Sequence, residues 1–213
     1  MKILYEDNLL KAVHKQSGQP VQPEEGKPIS LEDEVKQYIK VSKQKPGDVF
    51  LGVIHRLDMP VSGIVLFAKT SKALVRMNEL FKQRNVRKIY TAQVIKIPAQ
   101  PKALLTHYLV RDDSKRITRA FPKEVPNSQK AQLEYEIIST QAQTATLNIT
   151  LHTGRKHQIR VQLSKEGIPI VGDVKYGAPK SLANGAIALC ATLLSFTHPV
   201  SKEVITIKTD FTF

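Results

Sequence analysis

The chain has 213 residues, 41% of them apolar, which is enough to bury a core and excludes a disordered polypeptide. Its 32 Lys and Arg against 19 Asp and Glu leave a net charge of +13; this suits a polyanion, whose neutralised phosphates release counterions, although a basic soluble surface has the same composition. The single cysteine, Cys190, excludes an internal disulfide and a cysteine-rich zinc site. No run of about eighteen apolar residues is present to cross a membrane, and MKILYEDNLL lacks the apolar stretch of a secretory signal, so a cytoplasmic location is the default expectation.

KILYED and LLKAVHK flank an Asp-Asn turn signal and predict a hairpin. Residues 16–28, rich in Gly, Pro and Gln, read as loop. Ser30 has the character of an N-cap, and Leu31, Val35, Tyr38 and Ile39 recur at helical spacing, in a helix that ends before Pro46-Gly47. DVFLGVI leads into the charged step HRLD, after which Ser62-Gly63 predicts a turn and GIVLFAK a buried strand. A second helix, capped by Ser71, presents Leu74, Met77, Leu80 and Phe81. RKIYTAQVIKI, ALLTHYLV, AQLEYEIIS and TATLNITLH read as strands. RKHQIRVQLSKEG reads as a short helix closing at Gly167, and the tail from Ile187 as two strands joined at HPVSKE. Strands outnumber helices without regular alternation. The expected fold class is therefore α+β, with a mixed, largely antiparallel sheet, flanking helices and a cleft, in one domain over residues 1–213.

Three places carry chemistry-bearing side chains. Asp58 follows His55 and Arg56, and Met59-Pro60 forces an extended or turn geometry directly after it; a carboxylate so placed either caps a turn or is held rigidly in a cleft. Arg155, Lys156, His157 and Arg160 fall in the first turns of the third helix, where positive charge opposes the helix dipole. A negative partner is implied there, either RNA phosphate or a carboxylate from elsewhere in the fold. His152 and His157 are five apart, which fits no common zinc spacing. Tyr90 lies in a strand behind Arg87 and Lys88, and is either a core residue or a stacking face for a base.

The order of these segments, HRLDxxxSGxxxxAKT, KxYxA, TGRxHQIRVxL and GIPIVGDxxYG, resembles the catalytic domain of RluA-type pseudouridine synthases from ILYEDNLL to LLSFTHP. The resemblance implies an RNA-modifying isomerase acting on specific uridines, with ribosomal or transfer RNA as the expected target; the rearrangement exchanges no electrons and consumes no water, so no cofactor or metal is demanded, and a monomer is the expectation. It implies Asp58 as the catalytic aspartate, Tyr90 as the ring beneath the target base, Arg160 as the arginine that pairs with the aspartate, and Arg56 as a residue holding the base out of the helix. RNA contacts are then expected from His55, Arg56, Arg87, Lys88, Arg155, Lys156 and His157. Two departures show: Lys15-Gln16-Ser17-Gly18 replaces Lys-Pro-x-Gly, with a looser loop expected, and Cys190 stands where a histidine is frequent. The chain opens on the first hairpin, so the small RNA-binding domain that precedes many relatives is expected to be absent. A non-catalytic RNA-binding protein is the alternative; it has no need of Asp58, Tyr90 and Arg160 together.

Overall fold

The computed structural model describes residues 1–44 and 46–211. In chain order the elements are β1 (Lys2–Glu6), β2 (Leu10–Lys15), α1 (Leu31–Ser42), β3 (Gly52–Val53), β4 (Ser62–Ala68), α2 (Ser71–Lys82), β5 (Val86–Val94), β6 (Lys102–Asp112), β7 (Ile117–Phe121), β8 (Gln129–Gln141), β9 (Thr144–Leu151), α3 (Gln158–Lys165), β10 (Leu189–Thr197) and β11 (Val204–Lys208). The chain is an α+β protein, as its pattern predicted. It divides into two compact units, one of residues 1–87 and the chain from 191 onward, the other of residues 88–190.

In the first unit β1 and β2 form the expected hairpin, with Ile3 opposite Val13. Asp7 closes it: one carboxylate oxygen accepts the amides of Leu9 and Leu10 at 2.7 and 2.6 Å. β2 pairs antiparallel with β4, β3 adds to β4, and β11 pairs with β10. Every residue of β4 is buried, so its sequence is a continuous apolar run without the alternation of a one-sided strand. Ser30 caps α1 as predicted, accepting the Asp33 amide at 3.1 Å. The cap of α2 is Thr70, one residue before the expected Ser71, because the extended Thr70 places its hydroxyl on the Ala73 amide at 3.1 Å. Ala73 and Met77 of α2 join Leu10, Ile64, Leu66, Leu194, Phe196 and Ile207 in the core of this unit.

One local expectation is corrected here. Ser62-Gly63 is not a turn before the strand but its first two residues. Gly63 has φ +114°, and a Cβ on it would stand 2.4 Å from the backbone N and O of Ala191. The glycine is required by close approach of β10.

In the second unit the strand order is β5-β9-β8-β6-β7, with antiparallel pairing throughout. β7 escaped the sequence reading: ITRAF is short, carries an arginine, and is the last strand of the order. Helix α3 sits over these strands through Val161, which packs with Leu109, Ala131 and Tyr176. It starts at Gln158, later than the predicted Arg155, and ends in a Schellman arrangement. Gly167, at φ +74°, donates to the Ser164 carbonyl at 3.0 Å, and Ile168 to that of Leu163 at 3.1 Å.

Candidate active site

Asp58 lies in the connection between β3 and β4 of the first unit, half-buried, between buried Leu57 and exposed Met59. Its carbonyl accepts the Val61 amide at 3.0 Å, closing a tight turn over Met59-Pro60. That turn is fastened from below. The Met59 carbonyl accepts the Gly18 amide at 2.8 Å and the Lys15 ammonium at 3.0 Å. Lys15, at the end of β2, is fully buried, and its Nζ also donates to the carbonyls of Gln16 and Gln19 at 2.9 and 2.7 Å. Burial pushes the Lys15 pKa from 10.5 down to about 7, with the negative charge of Asp58 acting in the opposite direction. The Lys-Gln-Ser-Gly loop is therefore tied to the Asp58 turn despite lacking the proline.

The two side chains before Asp58 differ in exposure. Arg56 is exposed and reaches Gln22 Oε1 at 3.2 Å. His55 is turned inward: its Nε2 accepts the Leu66 amide at 3.1 Å, which places the proton on Nδ1, and its ring stacks on Phe81 of α2 at 5.2 Å. These two contacts anchor the loop to β4 and α2. Arg87, at the start of β5, is exposed.

In the second unit Tyr90 sits mid-strand on β5, opposite Ile149 of β9 and half-exposed on the same strand face as Lys88. Lys88 runs past the turn before α3: its Nζ stands 3.3 Å from where a Cβ on Gly154 would be, so a glycine there leaves the ammonium room. Arg155, Lys156 and His157 fall in that turn and not within the helix. Gln158 organises it. Its Oε1 accepts from the Thr153 hydroxyl at 2.8 Å and the Arg155 amide at 2.9 Å, while its amide nitrogen donates to the Gln132 carbonyl at 3.0 Å. Lys156 is exposed, and Arg155 reaches the Lys130 carbonyl at 3.3 Å. His157 takes the left-handed conformation, φ +56°, and its Nδ1 meets the Tyr176 hydroxyl at 2.7 Å.

Arg160 is 5% exposed. Its Nε and one Nη donate to the two carboxylate oxygens of Asp173 at 2.7 and 2.8 Å, a bidentate pair within the second unit. The guanidinium also stands over the Tyr176 ring, 4.9 Å from its centre. Tyr176 in turn accepts the Thr118 amide at 3.0 Å, and burial raises its phenol above the usual pKa. The negative partner implied for the basic cluster is thus, for Arg160, a carboxylate of the fold. The fork the sequence reading gave to Asp58 is engaged on this edge by Asp173.

Asp173, Tyr176 and Lys15 were missed as site residues. GIPIVGDVKYG carried the first two, since a lone acid close behind a basic helix is a natural partner for a buried guanidinium. For Lys15 the signal was its match to the lysine of the Lys-Pro-x-Gly segment, but a lysine ending a strand otherwise reads as solvated. Among the described residues no group of three or more His, Cys, Asp or Glu is arranged to hold a metal ion, and no helix is long and apolar enough to cross a membrane.

Comparison with known proteins adds what geometry cannot. A family model described as RNA pseudouridylate synthase matches residues 10–165. The chain is 32% identical to "tRNA pseudouridine synthase C" of Haemophilus influenzae and to "Dual-specificity RNA pseudouridine synthase RluA" of Escherichia coli, in each case over 97% of this chain and 91% of the relative. Other relatives are longer: the chain spans 48% and 57% of two uncharacterised RNA pseudouridine synthases, from Chloroflexus aurantiacus and Chlorobaculum parvum. Among solved structures, human RNA Pseudouridylate Synthase Domain Containing 4 superposes with a TM-score of 0.82 at 24% identity, over 99% of this chain and 88% of that one. This likeness shows the fold.

Proposed function

We propose a reaction for this chain on an established premise: the chain belongs to the RNA pseudouridylate synthase family. It converts selected uridines of structured RNA to pseudouridine. The bond from ribose C1′ to uracil N1 breaks, the base turns, and C1′ rejoins at C5; N1 gains a proton and C5 loses one. No electrons are exchanged and no water is consumed. The observation that carries this reading is the family match over residues 10–165, a span that contains Asp58, Tyr90 and Arg160.

Asp58 supplies the carboxylate, as nucleophile or as the charge that stabilises a cationic sugar. It needs to be ionised, and desolvation in a closed site works against that. Arg160 supports the ionised form through guanidinium charge that cannot be titrated away, while Asp173 fixes the plane in which that charge is presented. Tyr90 offers a ring on which an everted uracil stacks, worth about 1–3 kcal/mol, and a phenol able to carry the C5 proton. A uridine inside a duplex is unreachable, so the target is extruded or already unpaired. Arg56, Arg87, Lys88, Arg155 and Lys156 hold the phosphates; His55 and His157, with their internal partners, are outside this set. The RNA is transfer or ribosomal RNA, a reading supported by the name of the Haemophilus influenzae relative for the former. The enzyme works as a monomer in the cytoplasm, its residues 1–213 serving as one catalytic domain.

The test is tritium release from RNA labelled at uracil C5. Release with an intact strand and no free uracil fits isomerisation. Free uracil would mean a glycosidase, cut strands a nuclease, and binding without release a non-catalytic RNA-binding protein.

A further inference from the structure

Arg56, Arg87, Lys88, Arg155 and Lys156 are given to RNA, and the buried Arg160, paired with Asp173, to the ionised Asp58. Among the described residues two fully buried lysines have no part in that chemistry: Lys11, which is paired with Glu6, and Lys15, which is caged by backbone. Lys15 is fully buried at the end of β2, and the three hydrogens of its ammonium match three backbone carbonyls, Gln16, Gln19 and Met59, at 2.7–3.0 Å. Burying an ammonium is costly unless all its donors are used, so a cage this complete holds its shape. Two of its acceptors belong to the loop after β2. The third is the residue directly after Asp58, in a segment 44 positions away along the chain. The same Met59 carbonyl receives a second donor from that loop, the Gly18 amide at 2.8 Å, with Gly18 at φ +84°.

We infer that Lys15 is a positioning residue of the reaction: through the Met59 carbonyl its ammonium locks the Asp58 turn in the one arrangement that aims the carboxylate. The arrangement is a two-loop clamp. β2 carries the ammonium, the 16–19 loop wraps it, and the Asp58 turn is bolted to it by its next carbonyl. Arg56 and the phosphate-binding cations hold RNA whether or not the clamp is closed, so loss of the clamp leaves affinity in place and lowers the rate of the chemical step. Asp58 is close enough for its charge to act on the ammonium, so removing Lys15 disturbs both the place and the field of the carboxylate.

The inference rests on Asp58 as the reacting carboxylate, and the test separates the two. Lys15→Met keeps the length of the side chain and removes the donors. Single-turnover tritium release and RNA Kd are measured on the full chain, with a cooperative thermal melt as the check on folding. The expected result is a rate loss of about 30-fold or more with Kd within about twofold, since a small misplacement of a reacting group costs up to about 100-fold. Gly18→Ala, which strains the φ +84° backbone of the half-exposed loop that wraps the ammonium, is expected to lower the rate several-fold without changing Kd, and it answers the question if Lys15→Met does not fold. A wild-type rate in a folded variant, or equal loss of rate and affinity, overturns the positioning role. If Asp58→Asn also retained wild-type release, the underlying reading would fall instead; inactive Asp58→Asn with fully active Lys15→Met sinks only the clamp.

Discussion

Arg160 shows how much one residue's partner decides. Its carboxylate partner in the second unit, Asp173, is 1% exposed, so truncating either side leaves an uncompensated buried charge. Asp173→Ala is expected to destabilise the chain by about 3–5 kcal/mol, read as a lowered urea midpoint, whereas Arg160→Lys, with a compact ammonium in place of the planar fork, keeps the charge and loses tritium release. An active Arg160→Lys would remove the guanidinium from the proposed chemistry. Lys15 supplies a pH prediction. Its folded-state pKa of about 7 lies below the unfolded 10.5, so between those values the unfolded chain binds a proton that the folded chain lacks. Stability of the wild type therefore rises with pH across that window, by up to about 1.4 kcal/mol per pH unit, and this contribution is flat below it. The difference in urea midpoint between wild type and Lys15→Met, followed from pH 6 to 10, isolates this group; an unchanging difference would mean that the ammonium stays protonated throughout.

At the scale of elements, caps and glycines carry the checks. Gly167 closes α3 at φ +74° with open space around its would-be Cβ, so Gly167→Ala meets only backbone strain and is expected to cost about 1 kcal/mol in urea unfolding. Gly63→Ala drives a methyl into the Ala191 backbone, and its cost is expected to exceed that of Gly167→Ala clearly; equal costs would contradict the close packing of β4 against β10. The elements themselves were largely legible in the sequence, because periodicity and capping residues are local signals: the first hairpin, α1, the apolar run of β4 and the glycine stop of α3 were all read there. What escaped was decided at a distance. Gly63 read as a turn because the approach of residue 191 leaves no local trace, Thr70 displaced Ser71 by backbone conformation, and β7 had too short a pattern to stand out. The site follows the same division. Asp58, Tyr90 and Arg160 were found by motif order, while Lys15 and Asp173 lay in matched segments whose partners became visible only once the chain had folded around them.

For the whole molecule the relevant quantity is the charge of +13 and its distribution. RNA affinity is expected to fall linearly with the logarithm of salt concentration, and replacing one phosphate-binding cation, as in Lys156→Ala, to lower the slope by about 0.7 for a single-stranded contact while weakening all sequences alike. A slope unchanged by Lys156→Ala would take that residue out of the interface. Family membership and fold are statements about the chain as a whole, and they do not by themselves assign the reacting group; one comparison does so most directly. Tritium release from C5-labelled RNA is measured under single turnover for the wild type and for Asp58→Asn, with RNA Kd alongside. The account predicts that the amide, equal in size and without charge, binds RNA within about threefold of the wild type and releases no tritium above background, a loss of at least about 10⁴-fold on the scale seen when an essential catalytic group is removed. Release by Asp58→Asn at a rate near that of the wild type would contradict it.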